Sequence, residues 1–298
     1  MSSNSLVSKP PVTQPKTAPN ALRPSRWLTP LLVHAILGSY TLLAIAPVIL
    51  VVMNSFKGSQ AIFQKPYLPP IGELFDPVGY ATVFKQTAIL HYLGNSLLVT
   101  LGSIGLILLL GAMTAFGLTE YRYRGRGFLT LYALIGLMIP IRLATVSILK
   151  LMVALNLQDT IWSLILVYSA QGLPMAIFVL SQYMRQVPSD LKDAARIDGA
   201  SEYQVFWLVV PLMRPALATL AIFVMLPIWN DLWFPLVLAP GEASRTLTLG
   251  AQQFLGQFQT DWSALLAMLT LAIAPVLVLY LIFSRQLIRG LTAGTVKG

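Results

Sequence analysis

The sequence predicts an all-α integral membrane protein with six transmembrane helices. Hydrophobic residues occupy 56% of the 298 positions and charged residues only 10%, whereas a soluble globular domain is about a quarter charged. The mean hydropathy is +0.72, and apolar runs of the roughly 20 residues that a helix needs to cross a bilayer recur along the chain. These runs are continuous rather than alternating, which excludes a closed transmembrane β-barrel.

Six apolar runs define the predicted membrane domain, residues 28–283. The first run is too long for the core of a signal peptide, so we expect it to remain as an uncleaved span. Several runs contain a proline, which membrane helices tolerate because neighbouring helices satisfy the freed carbonyl groups. The predicted spans are Leu28–Met53, Leu93–Leu118, Phe128–Leu151, Ile161–Tyr183, Ala216–Leu238 and Trp262–Phe283.

Both ends of the chain are predicted to be cytoplasmic tails. Residues 1–27 are rich in Ser, Thr, Pro and Lys and lack the apolar side chains to form a core, which predicts disorder. Residues 284–298 form the second tail. With both termini in the cytoplasm, 14 of the 20 Lys and Arg lie in inner segments and 6 in outer segments. This bias follows the positive-inside rule and puts the loop between the fourth and fifth spans on the cytoplasmic face.

The composition narrows the classes of function. Without cysteine the chain has no disulfide, thiolate nucleophile or cysteine metal site. The two histidines, His34 and His91, are far apart in sequence, and we interpret them as packing or interfacial residues rather than as a proton relay. The net charge of +9 comes from Lys and Arg that flank apolar spans. It therefore indicates contact with membrane lipid and not with nucleic acid.

A dense polar stretch, residues 186–215, interrupts this apolar chain. Its first half predicts a short helix, with Ser189 as the N-cap and Asp190 in the first turn. Asp193 and Arg196 stand three residues apart, where they can form an ion pair on one face of that helix. Gly199 then supplies the residue that tolerates the positive φ of a helix C-terminus.

The second half of the stretch predicts a second helix. Ser201 and Gln204 fit the capping-box pattern, Phe206 lies on the apolar side, and Pro211 ends the helix shortly before Pro215 opens the next span. The stretch could be an inert interfacial loop, but solubility alone would not need caps, a glycine and an aromatic anchor in a fixed order. We interpret the two helices as an element that docks on a partner and passes its motion to the spans.

The same stretch resembles the EAA loop of ABC importer permeases, in particular of their carbohydrate-uptake branch. That loop has the form E-A-A-x-x-D-G-A followed by a phenylalanine and two spaced prolines; here Asp193 stands where the family usually has Glu, with the same charge and a shorter reach. Over about residues 30–298 two further segments agree with the maltose-type permease subunit, Trp229–Leu236 and the C-terminal Gly290–Gly298. The matching loop residues, which the resemblance implies contact an ATPase, are Asp193, Ala194, Ala195, Arg196, Asp198, Gly199, Ala200, Phe206 and Pro211.

The resemblance implies a subunit of the prokaryotic inner membrane that works only in a complex. Its partners would be a second homologous permease subunit, two ATP-binding subunits and an extracytoplasmic substrate-binding protein. The chain lacks the G-x-x-x-x-G-K-[ST] phosphate loop, so ATP and Mg²⁺ are expected on the partner ATPases, with no cofactor and no enzymatic activity in this chain. The complex would alternate between inward-open and outward-open states and import a sugar, polyol or related glycoside.

Polar and aromatic side chains within spans predict a substrate pathway. Aromatic rings can cover the apolar faces of a sugar while amides and carboxylates bond its hydroxyl groups, although the same side chains also bond neighbouring helices. Arg142 and Lys150 lie near the outer end of the third span. They could attract an anionic substrate, but we expect them to snorkel to the interface. The pathway candidates are Asn95, Gln171, Trp229, Asn230 and Asp231.

Two other classes of function compete with the importer subunit. A stand-alone secondary transporter favours intramembrane ionisable residues and internal repeats, and this sequence has few of the first and no clear example of the second. A membrane-embedded enzyme would need a catalytic cluster within the spans, and neither a histidine-rich segment nor paired carboxylates stand out. Measuring uptake with and without ATPase subunits distinguishes the importer subunit from the secondary transporter. Turnover by the isolated chain would support the membrane-embedded enzyme.

Overall fold

The computed structural model describes the backbone of residues 28–256 and 260–293, and the side chains of residues 30–256 and 260–281. The predicted N-terminal tail lies outside these residues. Within them the chain is helical, without a β-strand and with one isolated bridge between Leu255 and Thr260. The helices are α1 Leu28–Asn54, α2 Ser59–Gln64, α3 Val78–Gln86, α4 Ile89–Glu120, α5 Arg126–Gly136, α6 Thr145–Ala154, α7 Ile161–Met184, α8 Ser189–Ile197, α9 Glu202–Val209, α10 Arg214–Asn230, α11 Trp233–Leu238, α12 Leu247–Ala251 and α13 Trp262–Ala293.

Five continuous helical segments of the described chain are long and apolar enough to cross a bilayer. The all-α membrane fold is therefore confirmed, whereas six continuous spans are not. A sixth is obtained only if α5 and α6, which meet at 85°, count as one broken span. The five segments are Pro30–Asn54, Ile89–Glu120, Ile161–Met184, Glu202–Asn230 and Trp262–Leu281.

The third predicted span, Phe128–Leu151, is wrong as a single helix. Its first part ends at Gly136, and a 3₁₀ turn at Ile141–Ala144 precedes α6. Pro140 explains the break: it lacks an N–H to donate, and its ring disfavours helical backbone at the preceding residue. In this span the helix changes direction sharply near the proline and does not continue through it.

The fifth predicted span, Ala216–Leu238, also ends early. Helix α10 stops at Asn230, and Asp231 has extended backbone with ψ 136°. The carboxylate of Asp231 accepts a hydrogen bond from the backbone N–H of Phe234 at 3.1 Å, and Leu232 is the N-cap of the short helix that follows. The short helix α11 therefore follows as a separate element.

The last predicted span is longer than expected. Helix α13 begins at Trp262 as predicted, but its backbone continues past Phe283 to Ala293. Most of the predicted C-terminal tail therefore continues this helix, and residues 294–298 lie outside the described chain.

The chain divides into two units, residues 1–49 and 50–298. In the first, the apolar side chains of α1 are widely exposed, with Leu31 at 66% and Leu43 at 75%. A surface of this kind is suited to lipid tails or to the helices of another membrane subunit.

The core of the second unit is built on the close approach of α4 and α7. A Cβ atom added at Gly111 would lie 2.6 Å from the Cβ of Ala176, and one added at Gly172 would lie 2.5 Å from Cδ1 of Ile107. Small residues at a membrane helix interface let the two backbones come close enough for tight van der Waals packing. Buried side chains of α9 and α10 join the same core, so the polar stretch is attached to the membrane helices.

Candidate functional site

The polar stretch folds into the predicted pair of short helices, α8 and α9, called here the helix pair. Helix α8 ends in a Schellman motif: the N–H of Ala200 donates to Ala195 O at 2.9 Å and the N–H of Gly199 donates to Arg196 O at 3.0 Å. Gly199 has φ +84°, the left-handed conformation that this motif places on a glycine. The predicted role of Gly199 in the turn is confirmed.

The caps of the helix pair were predicted correctly for α9 and wrongly for α8. Ser201 and Gln204 form a capping box, with the Ser201 N–H donating to Gln204 Oε1 at 2.7 Å. Pro188 occupies the N-cap position of α8, so Ser189 is its first helical residue rather than its cap. Proline is compatible with this position because its fixed φ, here −55°, combines with the extended ψ of 135° that an N-cap residue adopts.

Helix α9 anchors the pair to the membrane helices through one apolar face. Val205 and Val209 are buried, and the ring of Phe206 packs edge-to-face on Phe116 of α4 with centroids 5.5 Å apart. A 3₁₀ turn containing Pro211 follows α9 and leads directly into α10. The helix pair is therefore attached to α4 by packing and to α10 by chain continuity.

The outer face of the helix pair is exposed and partly apolar. Ile197, at the end of α8, is 86% exposed, and Ala194, Asp198 and Gly199 beside it are exposed as well. By contrast Ala195 and Ala200 pack toward the core.

A cluster of charges joins the helix pair to the end of α4, and sequence reasoning missed its centre, Glu120. The Glu120 carboxylate accepts hydrogen bonds from Lys192 Nζ at 2.5 Å and from Arg196 Nη2 at 2.7 Å. Arg196 also donates to Asp193 at 3.0 Å, as predicted, and to Glu202 at 2.8 Å. Only the place of Glu120 two residues after the second predicted span, beside the basic residues Arg122, Arg124 and Arg126, could have indicated these contacts.

The cluster favours the charged form of its central cation. The hydrogen bonds that Arg196 donates to Glu202 and then to Glu120 raise the pKa of its guanidinium above the ordinary value. Tyr121, directly after α4, donates to Glu202 at 2.8 Å, and burial, with the neighbouring carboxylate, raises the pKa of its phenol. Arg196 therefore carries its charge throughout the neutral pH range, whereas the Tyr121 phenol stays protonated there and able to donate.

A cavity of about 170 Å³ lies between the membrane helices of the second unit. Of the predicted pathway residues, Gln171 and Asp231 line it. So does Arg142, which sequence reasoning placed at the interface. Apolar side chains form most of the remaining wall: Ile107, Met175, Phe223, Val224, Pro227, Ile228 and Phe234, with Tyr168 and Gly172.

Asp231 is bonded on several sides within this wall. Its side chain is only 7% exposed and accepts from Arg142 Nη2 at 3.1 Å and from Tyr168 Oη at 2.8 Å. The Arg142 side chain itself is 67% exposed, so its ion pair with Asp231 is compatible with the expectation that it snorkels to the interface, which stays a prediction. The pair joins the break between α5 and α6 to the break between α10 and α11.

The other pathway candidates are bonded to protein groups. Asn95 is buried and donates to the carbonyl oxygens of Ala243 and Arg245 at 2.9 and 3.0 Å. Trp229 is buried and its Nε1 donates to Ala272 O at 3.2 Å, while Asn230 is exposed and donates to Leu226 O at 2.9 Å. Among the described residues, His, Asp and Glu form no group of three that could hold a metal ion.

Comparison with known proteins gives a consistent picture. The family model described as "Binding-protein-dependent transport system inner membrane component" matches residues 107–293. The chain is similar to the diacetylchitobiose uptake system permease protein NgcG of Streptomyces coelicolor, with 33% identity over 89% of this chain and 88% of that one. It is also similar to the arabinooligosaccharides transport system permease protein AraQ of Halalkalibacterium halodurans, with 34% identity over 86% and 92%.

A solved structure has the same fold. A chain in the crystal structure of a bacterial ABC transporter involved in the import of the acidic polysaccharide alginate superposes with a TM-score of 0.73 at 20% identity, covering 87% of this chain and 96% of that one. At this identity the likeness concerns the fold alone.

The capping box of α9 gives a local test of the helix pair. Replacing Ser201 by Ala removes a cap, which costs about 1 kcal/mol and should raise amide hydrogen exchange in α9 about fivefold. Ser189→Ala is the matched control, because the Ser189 hydroxyl bonds only its neighbour Asp190 in the described contacts, at 3.4 Å. Equal exchange in both variants would contradict the assignment of the cap.

Proposed function

The chain belongs to the family of binding-protein-dependent transport system inner membrane components, and from this premise we propose that it is the permease subunit of an ATP-driven importer for a sugar or a related polyol or glycoside. As an ABC transporter permease it is a multi-pass protein of the inner cell membrane. Its partners would be a second permease subunit, two ATP-binding subunits that hold ATP and Mg²⁺, and an extracytoplasmic binding protein.

The observation that carries this proposal is the helix pair with its exposed tip. Its outer face presents Ala194, Ile197, Asp198 and Gly199 to a partner, while its inner face is fixed to α4 and α10 by packing and chain continuity. These are the two properties that a coupling element needs. We propose that it docks, on the cytoplasmic side, into a cleft of an ATP-binding subunit.

Docking would allow ATP, bound on the partner subunits, to change the conformation of the permease. A ligand shifts a conformational equilibrium only by its differential affinity for the two states. Because ATP binds the partner subunits, their closure can favour one state of the permease only through a mechanical attachment. The proposed attachment involves Asp193, Ala194, Ala195, Arg196, Asp198, Gly199, Ala200, Phe206 and Pro211, and moves the membrane helices between inward-open and outward-open states.

The cavity is the proposed part of the substrate pathway in this subunit. Gln171 offers both a donor and an acceptor to sugar hydroxyl groups, and Phe223 and Met175 offer apolar surface to the C–H faces of a ring. Asp231 and Arg142 neutralise each other at the wall. The proposed pathway also includes three residues whose bonds to protein groups support its walls: Asn95, Trp229 and Asn230. The names of two relatives, which concern oligosaccharides, favour a saccharide as cargo.

Reconstitution tests the proposed function and its alternative together. Proteoliposomes carrying the chain with its partner permease, ATPases and binding protein should take up a radiolabelled saccharide from a panel of maltose, trehalose, chitobiose and arabinotriose only when MgATP is inside. Uptake by this chain without ATPases would instead support a stand-alone secondary transporter.

Gly199→Pro in the same complex tests the coupling element. Proline fixes φ near −65° and removes the N–H that bonds Arg196 O, so we expect uptake to fall about tenfold or more. Gly199→Asn is the matched control, because asparagine adopts positive φ readily and a Cβ at this position meets open space. An assembled Gly199→Pro complex with unchanged uptake would refute the docking role.

Gln171→Leu tests the pathway. Loss of its donor and acceptor should raise the substrate concentration for half-maximal uptake about tenfold, as for one or two lost hydrogen bonds. Gln182→Leu is the control, because Gln182 is an exposed glutamine on the same helix that lines a different, smaller cavity. Equal effects of the two substitutions would remove Gln171 from the pathway.

A further inference from the structure

We propose that Glu120 is a positioning residue for coupling, which holds α8 directly on α4 and so passes movement of the helix pair to the cavity. This inference rests on the proposed function of the helix pair. Glu120 lies outside the helix pair, at the last position of α4. We assign it a role in passing movement from the helix pair to α4 and not in binding the partner.

The position of Glu120 distinguishes it from the other carboxylates of the cluster. Its side chain is 11% exposed and that of Lys192 is 13% exposed, whereas the side chains of Asp193 and Glu202 are 62% and 46% exposed. Exposed ion pairs contribute little because water screens them. A pair that is nearly withdrawn from water depends strongly on both partners, since removing one leaves the other charge buried and uncompensated.

The two cations of Glu120 lie on one face of α8. Lys192 and Arg196 are four residues apart, one helical turn, and each bonds a different oxygen of the same carboxylate. Two contacts at successive turns fix the direction of the α8 axis relative to α4, which a single contact could not do. Without them, α8 would be attached to α4 only indirectly, through the packing of Phe206 on Phe116.

Helix α4 connects this attachment to the cavity. It packs along α7 through Gly111 and Ala176, and its Ile107 forms part of the cavity wall. A shift of α8 held by Glu120 therefore moves a wall residue directly, in addition to the movement that the chain passes through α7 and α10. The carboxylate sets the efficiency of transmission, while the exposed face of the helix pair keeps its role in docking.

Cysteine labelling measures this transmission without requiring the identity of the substrate. The chain contains no cysteine, so Phe223→Cys, at an exposed position on the cavity wall, gives a single reporter. In the reconstituted complex with its binding protein, the rate at which fluorescein maleimide labels this subunit is compared without nucleotide and with a non-hydrolysable ATP analogue. Hydrolysis of MgATP and co-purification of the ATPases are measured in parallel.

Four variants in this background define the expected result. Glu120→Gln and Lys192→Gln should each reduce the nucleotide-dependent change in labelling rate about fivefold or more, the size of a typical coupling between sites, while the ATPases still co-purify. Glu120→Asp, which keeps the charge, should restore most of the change. The double variant Glu120→Gln/Lys192→Gln should be no worse than the poorer single variant, because both substitutions remove the same contact.

Other outcomes would overturn the inference or its premise separately. A full labelling change in Glu120→Gln, additive effects in the double variant, or equal loss in Glu120→Asp would show that the carboxylate does not transmit movement. Loss of the ATPases from Glu120→Gln would make it a determinant of docking instead. If the complex that carries only Phe223→Cys shows no nucleotide-dependent change in labelling rate, the proposed function itself fails, and not only the role of Glu120.

Discussion

A carboxylate placed among apolar helices must find its partners within the protein, because the hydrocarbon core supplies none. Asp231 and Glu120 obey this constraint at two separate places. Asp231 binds Arg142, Tyr168 and a backbone N–H where two helices are broken. Glu120 binds Lys192 and Arg196 where the polar stretch meets α4. These bonds connect the two breaks to each other at the cavity wall and attach α8 directly to α4.

The sequence predicts well what depends on local chemistry. The apolar runs give the membrane helices, and the glycine, the capping box and the prolines give the helix pair almost to the residue, with Ser189 as the exception. The sequence does not predict features that depend on contacts between residues far apart in the chain. Nothing near Arg142 indicates that it will pair with Asp231, which is far along the chain. A proline within a span does not reveal whether the helix continues through it or changes direction, as it does at Pro140.

The same limit applies to the candidate site. The family pattern identifies the short stretch that forms the helix pair, but not which of its residues are exposed: Ile197 is exposed without being part of the pattern, and Phe206 is part of the pattern but buried. The contacts of Glu120 could not be predicted, since they depend on α4 and α8 meeting in the fold. Likewise Asn95 and Trp229 look in sequence like residues of a pathway, and only the carbonyl groups that they bind reveal their structural bonds.

The central claim is that the tip of the helix pair lies against an ATP-binding subunit. The cysteine-free chain permits a direct measurement by photocrosslinking. Benzophenone maleimide is attached to Ile197→Cys and irradiated in the assembled complex, with Tyr67→Cys as a control that is also widely exposed but lies outside the helix pair. We predict an adduct between this chain and the ATP-binding subunit from position 197 and none from position 67. An assembled complex without that adduct at position 197, or with equal adducts from both positions, would contradict the account.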